Sequence, residues 1–185
     1  MRWPVSTTGI SAPDGVKTPA MARCGVVSII SPTKSCGART SVAESDWLQL
    51  EGKGYRFLTD HSDTEVLVHG FAEWGEELPK HLNGMFAFAA HDRSRGVLFL
   101  ARDRFGEKPL YYANGPQGFA FASELSSLRL HSTGEVDRAA LKKLLAYGFL
   151  PAPLTLYRNL RKLPAGLVAT SRSAELLAFT ATVAA

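Results

Sequence analysis

Short apolar runs recur along the chain, and most of them have the length of a strand. They lie between polar or glycine-containing turns, at 26–30, 55–57, 85–90, 97–101, 110–113 and 119–122. Several are rich in β-branched and aromatic residues, which favour strands. Because apolar strands need cover on both faces, the pattern predicts sheets with helices packed against them.

Helical spacing of apolar residues is clearest after the stretch 62–65. Ser62 can cap a helix there, and Glu65, three positions on, can return a hydrogen bond to the backbone of Ser62. Apolar residues at helical spacing and a terminating glycine follow: Val66, Leu67, Phe71, Trp74 and Gly75. Further helices are predicted at 42–53, 123–130 and 137–147, the last with an apolar face of Ala140, Leu141, Leu144 and Leu145.

The two ends of the chain carry no comparable pattern. Residues 1–20 are rich in Pro, Gly, Ser and Thr, and we expect a disordered arm. Residues 148–168 are typical of an extended connector, and 169–185 consist largely of Ala, Ser and Thr, so an unstructured tail is predicted. The folded domain is therefore expected within 21–147.

Composition limits the class of protein. With 185 residues, 45% of them apolar, the chain suits one globular domain with a real core. The formal charge of +4 comes from 21 cationic residues scattered among 17 acidic ones. The densest cluster, Arg158, Arg161 and Lys162, is too thin for a groove that follows phosphates, so no nucleic-acid partner is expected.

The chain also lacks the sequence marks of membrane insertion or export. No segment approaches the ~20 apolar residues of a membrane span. Residues 1–20 contain no apolar run of the kind found in a secretory signal. A cytoplasmic protein without a membrane partner is therefore expected.

The two cysteines do not form a metal-binding pattern. Cys24 and Cys36 are separated in sequence without a CxxC motif, and no paired histidines stand at ligand spacing, so no metal site is predicted. Cys36 is followed by polar residues and is interpreted as a loop residue. Cys24 opens the first apolar run, where it is either a small buried thiol or a nucleophile.

The chain resembles the amino-terminal region of glutamine-hydrolysing asparagine synthetases in four segments, in register across roughly residues 48–168: SDTEVLVHGFAEWG, LNGMFAFAAHDRSRGVLFLARDRFGEKPLYYA, FASELSSL and PAPLTLYRNLRKLPAG. The resemblance implies an α+β fold, a four-layer αββα sandwich of the amino-terminal-nucleophile type. It also implies hydrolysis of glutamine to glutamate and ammonia. In the family a second domain uses that ammonia and ATP to convert aspartate to asparagine.

The resemblance implies that Cys24 is the catalytic nucleophile only if the Arg23–Cys24 bond is cut. In the family the free α-amine of the cysteine accepts the thiol proton, since its pKa lies near ~8. An amide nitrogen cannot do so. Starting the chain at Met21 would still leave Met-Ala-Arg ahead of the cysteine.

The segment after Cys24 departs further from the family pattern. Only 39 positions separate Cys24 from Asp63, and the RGPD, HRR and NGEIYN segments that the family carries there are absent. Those segments bind the substrate carboxylate and supply the oxyanion hole, and Asn83-Gly84 belongs to another part of the pattern. We therefore expect part of one sheet to be missing, and losing an oxyanion donor costs ~10²–10³ in rate.

Two further motifs have a catalytic and a structural interpretation. Asp63 matches the family aspartate that holds the α-ammonium group of the substrate, but it can also be a first-turn carboxylate stabilised by the helix dipole. The stretch 101–112 is interpreted as a structural turn in which Gly106 supplies unusual backbone angles and Arg102 pairs with Asp103.

Three functional hypotheses follow. The favoured one is a truncated, catalytically deficient glutaminase-domain region of an asparagine synthetase-like protein. The alternatives are a processed enzyme, with glutamine as substrate and a separate synthetase-like chain as partner, and a non-catalytic binding or regulatory subunit that keeps the family interface. No Gly-rich pyrophosphate loop follows PAG, so ATP and magnesium are not expected as cofactors of this chain.

Overall fold

The computed structural model describes residues 24–28, 41–42, 44–57, 63–92, 94–115, 118–172 and 175–181. The strands are β1 (Cys24–Ser28), β2 (Ser41–Val42), β3 (Leu82–Asn83), β4 (Ala87–Asp92), β5 (Val97–Arg102), β6 (Tyr111–Gly115), β7 (Gly118–Ala122), β8 (Leu160–Lys162), β9 (Leu167–Arg172) and β10 (Glu175–Ala181). The α-helices are α1 (Glu44–Gly52), α2 (Asp63–Trp74), α3 (Leu78–His81) and α4 (Arg138–Tyr147), and 3₁₀ helices cover Gly75–Glu77 and Leu125–His131. The predicted arm at 1–20, Cys36 and Ser62 lie outside the described residues.

Two antiparallel sheets carry the fold. The large sheet has the strand order β1-β4-β5-β9-β10, and the small sheet has the order β7-β6-β8. The register of the large sheet places Ala89 opposite Leu100, and Leu100 opposite Ala169. A short pair, β2 and β3, stands apart from both.

One face of the large sheet packs against α2. Phe88 and Ala90 from β4 share a buried cluster with Phe99 and Ala101 from β5, and Leu67 and Phe71 of α2 close it. The rings of Phe71 and Phe99 are 5.5 Å apart. Alternation along each strand produces this face, since every second side chain points to the same side.

The other residues of the same strands face the small sheet. Ala89, Leu100 and Ala169 contact Tyr112 and Phe119 in a second cluster. Small alanines on the large sheet allow the aromatic rings of the small sheet to approach closely. The interface between the two sheets is therefore a second core.

The outer face of the small sheet is covered by the 3₁₀ helix Leu125–His131. Ala113, Ala120 and Leu160 form a third cluster with Leu128 of this helix. The order of layers is thus helix, sheet, sheet, helix. This arrangement agrees with the expected α+β sandwich.

Most predicted elements form, with shifted ends. The helix after residue 62 is confirmed as α2, which is followed by Gly75 at φ +55°. The predicted helix at 123–130 is instead a 3₁₀ helix. The predicted strand at 55–57 is wrong, because Tyr55 packs with Leu50 and Val66 while its backbone pairs with no described strand.

The predictions for the end of the chain need the largest correction. The stretch 169–185 was expected to be unstructured, but β9 pairs with β5 and β10 pairs with β9. The expected connector at 148–168 contributes β8, which pairs with β6. The strand β9 was hidden because Ala169, Thr170 and Ser171 give little strand signal, whereas β10 contains the apolar residues Leu176, Leu177 and Phe179, which the prediction overlooked. The folded unit therefore extends well beyond residue 147.

Candidate functional site

Cys24 is the first residue of β1, the strand next to β4 in the large sheet. Its Cα lies opposite that of Asp92, at the end of β4. The placement of its side chain lies outside the described part of the structure. In the sequence its nitrogen is an amide joined to Arg23. Its role as a nucleophile after cleavage of that bond stays a prediction.

Asp63 is the first residue of α2, where backbone N–H groups have no partner within the helix. The helix lies against β1. The structure therefore brings the two candidate residues onto neighbouring elements. The Asp63 side chain is not among those described, so its predicted substrate role stays a prediction.

The turn after β5 is built around two buried charged residues. Arg102 donates from Nε to the carbonyl of Lys108 at 2.7 Å, and its other nitrogens donate to the carbonyls of Gly106 and Leu163. Burial lowers the pKa of Arg102, while the neighbouring Asp103 carboxylate raises it. The guanidinium thus holds the turn through carbonyl oxygens.

Asp103 stabilises the same turn through its carboxylate. Its carboxylate accepts from the backbone N–H groups of Phe105, Glu107 and Lys108 at 3.0–3.1 Å. Its own carbonyl accepts from the N–H of Gly166 at 2.8 Å. Arg102 and Asp103 therefore act mainly on the backbone, and the interpretation of a structural turn agrees with this geometry.

A buried Glu–His pair was missed by the sequence analysis. Glu65 and His69 are 1% and 4% exposed, and His69 Nε2 lies 3.6 Å from Glu65 Oε1. The imidazole ring packs against Phe57 and Tyr55, with centroids 4.8 and 5.1 Å away. Among the described residues, neither ring nitrogen has a hydrogen-bond partner.

Burial dominates the ionisation of His69. It lowers the pKa of the imidazole, and the Glu65 carboxylate acts in the opposite direction. His69 is thus held neutral near pH 7. The i, i+4 spacing of Glu65 and His69 within an apolar run was a signal that could have revealed the pair.

Helix α4 is capped at both ends, but most of its side chains are exposed to solvent. Asp137 accepts from the N–H groups of Ala139 and Ala140 at 2.9 and 3.2 Å, and Gly148 ends the helix at φ +75°. Only Ala140 of the helix is fully buried, whereas Leu145 is 79% exposed. Of the predicted apolar face, Ala140 is buried and Leu144 is partly buried, whereas Leu141 and Leu145 are exposed.

A groove of about 490 Å³ lies beside α4, lined by Glu135, Val136, Arg138, Leu141 and Arg158. Arg158 Nη1 lies 3.6 Å from Glu135 Oε2 at its rim. The groove is thus lined by two apolar, two basic and one acidic side chain. Within the described ranges, no group of three His, Cys, Asp or Glu side chains is arranged to hold a metal ion, and no helix is long and apolar enough to cross a membrane.

Sequence comparison connects this architecture with known proteins. A family model described as a glutamine amidotransferase domain matches residues 47–180. Glutamine-hydrolysing asparagine synthetase 1 of Bacillus subtilis is 42% identical over 125 residues, 67% of this chain and 20% of that protein. A putative asparagine synthetase 1 of Methanocaldococcus jannaschii is 46% identical over 98 residues, 46% of this chain and 17% of that protein. The chain thus spans about a fifth of the length of these relatives.

Solved structures agree on the fold. The glutamine phosphoribosylpyrophosphate amidotransferase from B. subtilis superposes with a TM-score of 0.54 at 18% identity, over 86% of this chain and 29% of that chain. An allosteric regulatory enzyme of purine biosynthesis gives 0.53 at 20% identity, over 78% of this chain and 27% of that chain. At these identities the likeness concerns the fold alone.

Proposed function

The chain belongs to the glutamine amidotransferase domain family in the form found in asparagine synthetase-like proteins, and from this premise we propose that it is a catalytically deficient glutaminase-domain region. The observation that carries the proposal is the 42% identity over 125 residues to a glutamine-hydrolysing asparagine synthetase. The ancestral substrate is then glutamine. The setting we propose is the cytoplasm, with no cofactor for this step.

The proposed deficiency rests on the proton that the nucleophile must lose. In an active domain, a terminal α-amine takes the thiol proton and the thiolate attacks the glutamine carboxamide to form a tetrahedral intermediate. This intermediate expels ammonia, which takes the proton back from the α-ammonium, and the thioester that remains is hydrolysed by water to glutamate. The Cys24 nitrogen is an amide bonded to Arg23, so it cannot take that proton. The thiol then relies on solvent, and the attacking thiolate is scarce at neutral pH.

A second argument for deficiency comes from the stretch between Cys24 and Asp63. The sequence there contains none of the segments that resemble an oxyanion hole or a substrate-carboxylate site. A tetrahedral oxyanion without a donor costs ~10²–10³ in rate. The two effects act on different steps, so we expect their costs to multiply.

Ammonia release from glutamine tests this proposal. We expect the full chain and its Cys24→Ala variant to release ammonia at the same rate, within about two-fold, because thiol attack contributes nothing measurable. A wild-type rate well above that of Cys24→Ala would overturn the deficiency.

A processed form separates the two causes of deficiency. The substitutions Ala20→Ile, Met21→Glu and Ala22→Gly place Ile-Glu-Gly-Arg ahead of Cys24, so a site-specific protease can cut after Arg23. If cleavage restores turnover, the missing amine is the dominant defect, and the processed-enzyme hypothesis gains support. If it does not, the missing oxyanion and carboxylate sites dominate.

The exposed face of α4 supports the second candidate function, a non-catalytic binding subunit. A helix with good caps at both ends keeps large apolar side chains in solvent, including Leu145 and Tyr147. Exposed apolar side chains on a formed helix are typical of a surface that binds another protein. A pull-down that recovers a stoichiometric synthetase-like chain would favour this function over the enzyme.

A further inference from the structure

The surface of α4 and its adjoining groove points to a defined partner. We propose that it binds an acidic amphipathic helix of a partner protein, laid across the exposed leucines with its apolar side chains in the groove. We call the α4 surface the group formed by Val136, Leu141 and Leu145. The proposal does not depend on glutamine hydrolysis.

The apolar part of the α4 surface is exposed and lies on a formed helix. Val136, Leu141 and Leu145 are 46%, 38% and 79% exposed. Leu141 and Leu145 are four positions apart, so they form an apolar strip on one face of the helix. Because Asp137 and Gly148 cap the helix, the strip is presented on a formed element.

The groove gives the surface its shape. Leu141 lines the groove and lies one helical turn from Leu145, so the exposed strip runs into the concave region. Exposed apolar residues at positions i and i+4 beside a groove are the arrangement that receives an amphipathic helix. A flat bilayer surface would not fill a groove of about 490 Å³.

Charge selects the partner. Helix α4 carries three cationic residues and no anionic one, namely Arg138, Lys142 and Lys143, and Arg158 adds a fourth cation beside the groove. The acidic residues next to them are Glu135, which lines the groove and pairs with Arg158, and Asp137, which caps the helix. A second copy of the chain would bring like charges together, whereas an acidic helix would neutralise them.

The binding test uses the full chain and a fluorescein-labelled peptide of about 18 residues, long enough for five helical turns. The peptide has leucine on one face and glutamate on the other, and a matched peptide has lysine in place of glutamate. Fluorescence anisotropy should show binding of the acidic peptide, weakened by added salt. Equal binding of the basic peptide, or no binding of the acidic one, would overturn the proposal.

Two matched variants locate the site. Leu145→Glu should weaken binding of the acidic peptide by about ten-fold or more, since it places a carboxylate in the contact. Leu48→Glu alters another exposed leucine, on α1 and 61% exposed, and should leave binding unchanged. Circular dichroism checks that both variants keep their helices. Equal effects of the two substitutions would contradict the assignment.

The same proteins are used to test two other occupants of the α4 surface. Vesicles of phosphatidylserine and phosphatidylcholine test a membrane, and sedimentation velocity tests self-association. Vesicle binding without peptide binding, or a dimer that Leu145→Glu dissociates, would replace the proposed partner. A monomer that binds the acidic peptide and not the vesicles supports it.

Discussion

At the scale of single residues, the interior of the helical layer contains an ionisable pair. Glu65 and His69 lie on consecutive turns of α2, and both are more than nine-tenths buried. Burial disfavours the charged form of the His69 imidazole, because a charged ring would lose its hydration, and this effect outweighs the opposite effect of the nearby Glu65 carboxylate. The pair therefore couples the stability of the domain to pH.

We predict that the protein loses stability as the pH falls below the unfolded-state value of 6.5 for His69. The folded pKa is lowered, so the unfolded state binds more protons in this range and is favoured there, by up to about 1.4 kcal/mol per pH unit. Above that pH, the contribution of neutral His69 to the free energy of unfolding is fully present. Urea unfolding of the wild type and of His69→Gln at pH 7.5, 6.5 and 5.5 measures the effect.

The half-exposed histidine His91, on β4, provides the control. His69→Gln should flatten the pH dependence of the wild type, and His91→Gln is the matched substitution that controls for the loss of a histidine as such. If both variants follow the wild-type curve, the pH dependence comes from another group.

At the scale of elements, the turn after β5 connects distant parts of the sequence. The Arg102 guanidinium donates to the carbonyl of Leu163, and the carbonyl of Asp103 accepts from the N–H of Gly166. Two segments that the sequence analysis treated separately, ARDRFGEKP and LPAG, thus form one unit. The two segments therefore occur together in the sequence for a structural reason, and no catalytic role is needed to explain them.

Gly106 allows this unit to close, and we predict that Gly106→Ala destabilises the protein more than Gly96→Ala does. Both glycines have positive φ, +66° and +64°. A Cβ at Gly106 would lie 3.0 Å from Ala165 Cβ and Arg102 Cζ, whereas one at Gly96 meets nothing within 4 Å. Each variant bears the backbone cost of about 1–2 kcal/mol, and Gly106→Ala adds a steric cost.

Thermal and urea unfolding of the two glycine variants measure the difference directly. Equal losses would show that the neighbours of Gly106 move aside easily. A loss confined to Gly96→Ala would contradict the described packing.

At the scale of the whole molecule, the end of the chain completes the large sheet. β9 lies between β5 and β10, and Ala169 contributes to the core between the two sheets. Leu163, just before it, is fully buried in the same cluster. The central cores thus depend on residues that sequence analysis placed outside the domain.

We predict that ending the chain after Gly166 abolishes cooperative unfolding, whereas ending it after Ala181 does not. The shorter form leaves the N–H and C=O groups of β5 unpaired along one edge and uncovers the core between the sheets. Differential scanning calorimetry of the two forms makes the comparison. A sharp transition at the wild-type temperature in the shorter form would show that β9 is dispensable.

Local patterns in the sequence determined the helix whose cap and apolar spacing lie within one segment, and the strands whose apolar runs are bounded by turn residues. The run behind Ser62 gave α2, and strands β4 to β7 followed from apolar runs between turn residues. The four quoted segments also pointed to the family to which the chain belongs, as the match over residues 47–180 confirms. Each of these signals lies within one segment of the sequence, so it can be recognised without knowledge of the fold.

Only the tertiary structure decided what depends on distant neighbours. Strand β9 is a strand because β5 offers an edge to pair with, and β9 in turn offers an edge to β10. Leu141 and Leu145 of α4 remain exposed because no described layer covers them, which periodicity alone cannot reveal. Glu65 and His69 became a buried pair through the packing of Tyr55 and Phe57. In each case pairing or burial is a property of two segments, and one segment's sequence does not contain it.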